Sequence, residues 1–198
     1  KDFLEILQKV ELKKLNSKRK YLKILNKFDL VDGERKISIE PSEQCFEVEF
    51  QLNYKNKIIG KQKNYVNLSL DNLKSISESR TFCLYEDIEK IKKAGLAKGG
   101  SLDNAIVVDH DRILNKNGLR NEKEFVNHKI LDLAGDFLLS GFRVLGKINC
   151  YQGGHQLTNL FLRNLMKSNS SFICVEINQI KFEDKPNQNQ FSKLAVSA

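Results

Sequence analysis

The order of its predicted elements places this chain in the α+β class, as a two-layer sandwich of a sheet and helices packed on one face of it. Segments with alternating apolar residues, the pattern of half-buried strands, are grouped in the first third of the chain. The longest segment of helical periodicity comes much later, over residues 121–140. Separate groups of strands and helices are typical of α+β domains. With 198 residues, of which 40% are hydrophobic, the chain is long enough to bury a core.

Short elements fill the first half of the chain. Residues 2–10 predict a helix with one apolar face. The Asp32-Gly33 pair predicts a hairpin turn between the first two of three alternating segments. Another helix is predicted over residues 67–77, because leucine and isoleucine recur there near helical spacing. The three predicted strands span residues 20–30, 35–40 and 46–54.

Strands and helices alternate in the second half. Gly95 ends a short predicted helix, since glycine is common just beyond a helix C-terminus. From Glu183 onward, polar residues and a proline predict a loose tail. Strands are predicted over residues 81–84, 105–108, 142–151 and 172–177, and helices over 87–94, 121–140 and 154–167.

The long helix carries the most informative side chains. At about 100° per residue, Asp132 and Asp136 lie roughly 40° and 80° from His128 on the helical wheel. His and Asp side chains one turn apart can bind the same metal ion. The spacing alone also fits an ordinary solvated helix face. The opposite side is a broad apolar stripe of Val126, Ile130, Leu131, Leu133, Ala134, Phe137 and Leu138.

Four sequence blocks agree in order and spacing with one enzyme family. They are Arg80-Thr81-Phe82, the Gly-rich segment 99–109, the helix segment 124–136, and Gly154-His155 with the four residues that follow. With these blocks, the chain resembles the UDP-3-O-acyl-N-acetylglucosamine deacetylases, zinc enzymes that commit bacteria to lipid A synthesis. The resemblance is strong over residues 80–166 and weaker elsewhere.

The resemblance implies a particular domain organisation. It makes this chain the second of two similar domains together with the end of the first. Residues 1–17 are then the last helix and linker of the N-terminal domain, and residues 18–198 form the C-terminal domain. Within the latter, an insert at residues 83–119 is expected to form a βαβ flap that lines a hydrophobic passage for the acyl chain.

The same resemblance implies a zinc-dependent hydrolysis of the N-acetyl group. It makes His128 and Asp132 ligands of a catalytic Zn²⁺. The family's third ligand, a histidine, and its general base, a glutamate, belong to the N-terminal domain, and neither motif is present here. The only other histidines are His110 and His155. We therefore expect this chain to be an incomplete fragment, inactive alone.

Three further residues are expected to complete the chemistry that amide hydrolysis needs, a stabilised oxyanion and an acid for the leaving amine. His155 matches the family's protonated histidine, Asp136 its carboxylate partner, and Thr81 a threonine whose hydroxyl contacts the oxyanion. The carboxylate favours the imidazolium, whereas the helix N-terminus opposes it. Without the resemblance, His155 is read as a residue near a helix N-cap and Thr81 as a strand former.

Other residues are expected to bind the UDP-sugar lipid substrate. Lys129 matches a lysine at the sugar and diphosphate end, and Lys23 stands where the family often has arginine near the uridine diphosphate. Glu49 and Phe50 match an acid–aromatic pair at the uracil, although both equally fit a plain strand. The remaining candidates, for which an ordinary core is the alternative, are Phe82 and, along the acyl passage, Leu84, Ile88, Leu96, Gly100, Ser101, Ala105 and Val107.

Cysteine usage and hydropathy favour a cytoplasmic location. The four cysteines, Cys45, Cys83, Cys150 and Cys174, are far apart and form no CxxC pair, as is usual for reduced thiols. The chain has neither a signal peptide nor an apolar run long enough to cross a bilayer. We expect a cytoplasmic monomer without stable membrane insertion.

A net charge of +8 leaves other interpretations open. The basic residues dense in the first 27 positions would also suit a binding module for nucleic acid or anionic lipid. Aromatic residues are not interleaved with them, so we expect no nucleic-acid partner. A structural domain with a dead metal site is a further interpretation. The intact set of His128, Asp132, Asp136, His155 and Thr81 argues against it.

Overall fold

A computed structural model gives the fold of most of the chain. It describes residues 6–7, 9–10, 13, 15–43, 45–69, 71, 73–168 and 170–177. The predicted helix at residues 2–10 and the linker at 11–17 fall partly outside the described residues. The predicted tail from Glu183 onward falls wholly outside them.

Five strands come first along the chain, and the helices and further strands follow, so the domain is α+β, which confirms the predicted class. The strands are β1 (Arg19–Ile24), β2 (Phe28–Asp32), β3 (Arg35–Pro41), β4 (Phe46–Asn53), β5 (Lys61–Asn67), β6 (Thr81–Leu84), β7 (Ala105–Asp109), β8 (Arg112–Ile113), β9 (Arg143–Tyr151) and β10 (Phe172–Ile177). The helices are α1 (Lys74–Ser77), α2 (Ile88–Lys93), α3 (Glu124–Leu138) and α4 (His155–Leu165), with a 3-10 turn at Tyr85–Asp87 before α2.

The main sheet of seven strands is built around β9. The first residues of β9 pair in parallel with β1, and from Gly146 to Tyr151 the strand lies between antiparallel β3 and parallel β4. Next in the sheet, β10 pairs with β1, β2 pairs with β3, and β5 pairs with β4. Gly146 sits where the partners change, and a Cβ there would come within 2.9 Å of Ile24 and 3.0 Å of Ile39. Only glycine leaves room for both isoleucine side chains to pack against β9 at this point.

Two helices cover the sheet. Helix α3 packs against β4 and β5, α4 packs against β2 and β3, and the two helices touch each other. Between helices and sheet lie the largest buried side chains, including Phe50, Phe125, Phe137 and Phe161. Burying each aromatic ring contributes about 1.5–3 kcal/mol. This confirms the predicted sandwich of a sheet and helices.

The predicted apolar stripe of α3 was too broad. The helix buries Val126, Ile130 and Phe137, but Leu131 is 37% exposed and Leu138 is 63% exposed. A helical wheel gives the direction of the buried side but not its width, which depends on what covers the helix. The helix ends as its sequence suggests, because Gly141 follows it with φ +80°.

A second, three-stranded sheet contains the predicted βαβ unit. Strand β6 pairs in parallel with β7 across the 3-10 turn and α2, and β8 returns antiparallel to β7. Gly95, with φ +72°, lies just beyond α2 as predicted. Asn115 is buried in this unit, where it accepts from the Val107 N–H and donates to the Leu102 and Ala105 carbonyls.

Two local predictions were wrong. Residues 20–30 form β1 and β2 rather than one strand, because the N–H groups of Leu25 and Asn26 both turn to the Ser171 carbonyl. The helix predicted over residues 67–77 is only α1, and Asn67 ends strand β5. Strand β5 was missed because its sequence is largely polar and Val66 is its one buried residue. Among the described residues, no helix is both long and apolar enough to span a membrane.

Candidate active site

Two His–Asp pairs lie side by side at the junction of α3 and α4. On α3, His128 Nε2 lies 3.3 Å from Asp132 Oδ1. One turn further along, Asp136 meets His155, the first residue of α4, whose Nδ1 lies 2.9 Å from each carboxylate oxygen. The pairs adjoin, since His155 Nε2 is 3.9 Å from Asp132 Oδ2. The structure thus brings together four predicted site residues as one row.

His128 is held as a neutral imidazole. Its side chain is 13% exposed, and burial lowers its pKa despite the opposing charge of Asp132. The Ser79 carbonyl lies 3.4 Å from Nδ1, which favours the tautomer with the proton on Nδ1. The Nε2 lone pair then faces a carboxylate oxygen at 3.3 Å, an arrangement that a cation bound between the two atoms would stabilise.

The donor set therefore fits a zinc ion at His128 and Asp132. Neutral imidazole and carboxylate are both common zinc ligands, and a carbonyl acceptor behind the imidazole is the usual outer partner. Within the part of the chain described, no group of three or more His, Cys, Asp or Glu side chains is arranged to hold a metal ion. His128 and Asp132 would therefore supply two protein ligands.

His155 lies in a different environment. Its side chain is 68% exposed, and Gly154 precedes it as an extended N-cap residue with φ −175°. Because Nδ1 lies within hydrogen-bond distance of both oxygens of Asp136, it carries a proton that it donates to them. The second ring nitrogen, Nε2, is left toward Asp132 and solvent.

Lys129 and Phe82 lie beside the row. The Lys129 ammonium is 3.2 Å from Asp132 Oδ2 and 5.5 Å from the centre of the Phe82 ring, a cation–π distance. Phe82 is wedged against Phe125, with ring centres 5.0 Å apart, and its ring centre is 6.4 Å from that of His128. Thr81 is exposed next to Phe82. The start of β6 therefore borders the row of charged groups.

Comparison with known proteins identifies the family of this chain. The LpxC family model, described as UDP-3-O-acyl N-acetylglycosamine deacetylase, matches residues 1–167. The chain belongs to this family. The UDP-3-O-acyl-N-acetylglucosamine deacetylase of Syntrophotalea carbinolica is 38% identical over 175 residues, which cover 88% of this chain and 56% of that protein. The enzyme of the same name from Campylobacter jejuni is 33% identical over 97% of this chain and 63% of its own length. The chain thus spans roughly three fifths of these relatives.

Three residues that the LpxC resemblance suggested for the nucleotide are engaged elsewhere on the sheet. Lys23 pairs with Glu43 at 2.8 Å. Glu49 pairs with Lys63 at 2.8 Å, and the hydrogen bond from Lys63 lowers the pKa of Glu49. Phe50 is in the core, 1% exposed, so its ring is not presented to a ligand. The alternation of β4 also places Phe50 with Val48 and Leu52 on its apolar face, so only the resemblance suggested a ligand for it.

The candidates for the acyl passage are spread over the second sheet and its loop. Leu84, Ile88 and Ala105 are half-buried, and Val107 is buried. Leu96, Gly100 and Ser101 are exposed on the loop before β7. Gly100 approaches the Ala97 carbonyl, which would lie 3.1 Å from an added Cβ. In the register of β6 with β7, Leu84 faces the opposite side of the sheet from Ala105 and Val107, so these residues do not share one face, and their contact with an acyl chain stays a prediction.

Sequence reasoning missed two supports of the site. Glu124, at the start of α3, is buried and bonded to Arg80. Gly153, before α4, leaves no room for a Cβ because it packs on the Cys150 sulfur and the Phe50 ring. Glutamate in the first turn of a helix usually reads as a dipole partner, and Gly153-Gly154 as a flexible loop. Neither pattern reveals a contact with a distant segment.

Proposed function

We propose that the protein containing this chain hydrolyses the N-acetyl group of UDP-3-O-acyl-N-acetylglucosamine, releasing acetate, in lipid A synthesis. The observation that carries the proposal is the row of two His–Asp pairs, in which one histidine is buried and neutral and the other is exposed and carboxylate-bound. Membership of the LpxC family and the names of the relatives support the substrate.

The pair of His128 and Asp132 would hold a zinc ion. When bound, Zn²⁺ supplies a Lewis acid that activates water near neutral pH. A third protein ligand and the general base would come from residues outside this sequence, since His110 and His155 are its only other histidines. His110 is bonded to Asp109 on an exposed turn, and His155 to Asp136.

The other residues handle the charge and proton that hydrolysis creates. The amide C–N bond breaks, the hydroxyl of water joins the acetyl carbon, and a proton must reach the sugar amine. His155 is placed to give that proton, because Asp136 holds one ring nitrogen and leaves Nε2 toward the row. The exposed hydroxyl of Thr81 would donate to the oxyanion. Lys129 would meet the diphosphate end of the substrate.

The test separates ligand from acid in the full-length protein. We expect His128→Ala to lose both zinc and acetate release. His155→Ala should keep its zinc and lose on the order of 10²–10⁴ in turnover, the range for a lost general acid. His110→Ala is the matched control and should leave both unchanged. Loss of zinc in His155→Ala would make that residue a ligand, and an active His128→Ala protein would end the proposal.

The contribution of this chain alone has its own measurement. Two protein ligands leave a tetrahedral zinc site half-filled by protein. We expect the 198-residue chain to bind zinc weakly in a metal titration and to release no acetate. Affinity equal to that of the full-length protein would show that all ligands lie within this chain.

A further inference from the structure

Glu124 lies at the start of α3 with no exposed surface, and its two oxygens accept four hydrogen bonds. Oε1 accepts from the Arg80 backbone N–H at 3.1 Å and from Arg80 Nε at 2.9 Å. Oε2 accepts from Arg80 Nη2 at 3.2 Å and from the Arg120 backbone N–H at 2.6 Å. Each oxygen thus receives two donors, so the carboxylate is fully satisfied.

These donors come from the two ends of the βαβ unit. Arg80 immediately precedes β6, and Arg120 follows the return from β8 toward α3. The ends are also joined directly. Arg80 Nη2 donates to the Gly118 carbonyl at 2.7 Å, and Arg120 Nη1 donates to the Glu78 carbonyl at 2.6 Å. Glu124 therefore fixes both ends of the unit to α3.

The same contacts border the catalytic row. Glu124 lies one helical turn before His128, on the same helix. Arg80 lies between Ser79, whose carbonyl faces His128 Nδ1, and Thr81. A shift of Arg80 would therefore move the group behind the imidazole and the exposed hydroxyl together.

The buried ion pair of Glu124 and Arg80 contributes more to exact local geometry than to stability. Burial alone would raise the pKa of Glu124, but the bonds from Arg80 and from the Arg120 N–H outweigh it and lower that pKa. An ionised pair buried in this way is commonly no more stabilising than apolar side chains of similar volume. What a guanidinium and a carboxylate add is a planar, directional set of bonds, which lysine cannot reproduce.

We propose that Glu124 is a positioning residue for the reaction, which through Arg80 locks the ends of the βαβ unit, Ser79 and Thr81 in register with His128. The inference rests on the proposed function for its kinetic consequence. Its structural consequence, that one carboxylate couples residues 78–82 and 118–120 to α3, stands without it.

The test uses Glu124→Gln in the full-length protein, with Glu122→Gln on the exposed surface as the matched control. Gln keeps the shape but turns one acceptor into a donor that faces donors. We expect amide hydrogen exchange to quicken at least tenfold over residues 79–82 and 118–120 and to stay unchanged in β3 and β4. We also expect kcat to fall on the order of 10–100-fold well below the melting temperature, because small misplacements are costly in catalysis.

A second variant separates positioning from charge balance. Arg80→Lys keeps the positive charge but loses the planar set of guanidinium donors. A positioning role therefore predicts a fall in kcat similar to that of Glu124→Gln. Full activity in Arg80→Lys would overturn the proposal, as would a Glu124→Gln protein with unchanged exchange or unchanged kcat and only a lower melting temperature. If Glu124→Gln fails to fold, Arg80→Lys and Glu124→Asp carry the same measurements. If the wild-type protein releases no acetate, the proposed function fails, and the exchange pattern still decides the coupling.

Discussion

Gly153→Ala should weaken both the fold and the site, and the reason is one contact. The Gly153 N–H donates to the Cys150 sulfur, and an added Cβ would overlap that sulfur and lie 3.4 Å from the Phe50 ring. Both neighbours are almost fully buried, so neither can swing away. Overpacking of this kind costs about 1–3 kcal/mol. A backbone shift that relieves it also moves His155, which lies two residues on.

The magnitude is checked by urea unfolding and by turnover of the full-length protein. We expect Gly153→Ala to lower the free energy of unfolding by about 1–3 kcal/mol. At low temperature, where the variant is still folded, its turnover should also be reduced, because His155 no longer meets Asp136 at 2.9 Å. Gly154→Ala is the matched control. Its backbone is extended and an added Cβ meets nothing within 4 Å, so it should cost about 1 kcal/mol or less as a changed N-cap.

The rescue variant identifies the clash. Cys150→Ala removes the sulfur, so Gly153→Ala should be better tolerated in that background, with a favourable coupling in the double-mutant cycle. Equal losses for Gly153→Ala and Gly154→Ala, or no rescue by Cys150→Ala, would refute the argument from packing.

Further outcomes follow from other parts of the structure. Burial raises the pKa of Cys150 to about 12, so in the native protein a maleimide should label exposed Cys174 and spare Cys150, as mass spectrometry would show. Because the pKa of Glu124 is lowered on folding, its stabilisation is present above the ordinary glutamate value and lost as pH falls through the folded value. Glu124→Gln should therefore cost about 3–5 kcal/mol near neutral pH and progressively less in acid unfolding titrations. Ile88→Trp should impair turnover of long-chain substrates more than of short-chain ones, whereas Lys92→Trp on the exposed side of α2 should not discriminate between them.

Features set by local pattern were predictable from the sequence, and those set by distant contacts were not. The 3.6-residue period located α3 and put His128 and Asp132 on one face, and a β-branched run located β7. Strand β5 has no such apolar pattern, because its own residues are largely polar and its partner β4 carries the apolar side chains. The bond between Glu124 and Arg80 joins residues 44 positions apart, and no spacing rule connects them.

Phe50 shows how the sequence pattern and the family resemblance suggest different roles for one residue. Alternation along β4 puts Val48, Phe50 and Leu52 on one apolar face, and the structure buries that face. The contact of Phe50 with the uracil comes from the resemblance and stays a prediction. In the structure the Phe50 ring lies beneath Gly153, where it supports the backbone that presents His155. Its influence on the site is therefore through packing.

The two His–Asp pairs combine the same residue types in two different environments. His128 is buried, its Nδ1 faces a backbone carbonyl, and its Nε2 faces a carboxylate oxygen at 3.3 Å, which suits a shared cation. His155 is mostly exposed and donates an Nδ1–H hydrogen bond to the two oxygens of Asp136, so its outer nitrogen faces Asp132 and solvent. Under the proposed function, these different surroundings suit His128 for binding zinc and His155 for donating a proton. The roles are therefore not interchangeable. Under the proposed function, Asp132→Asn should lower zinc content, whereas Asp136→Asn should keep the zinc and lower turnover, because His155 loses a charged hydrogen-bond acceptor.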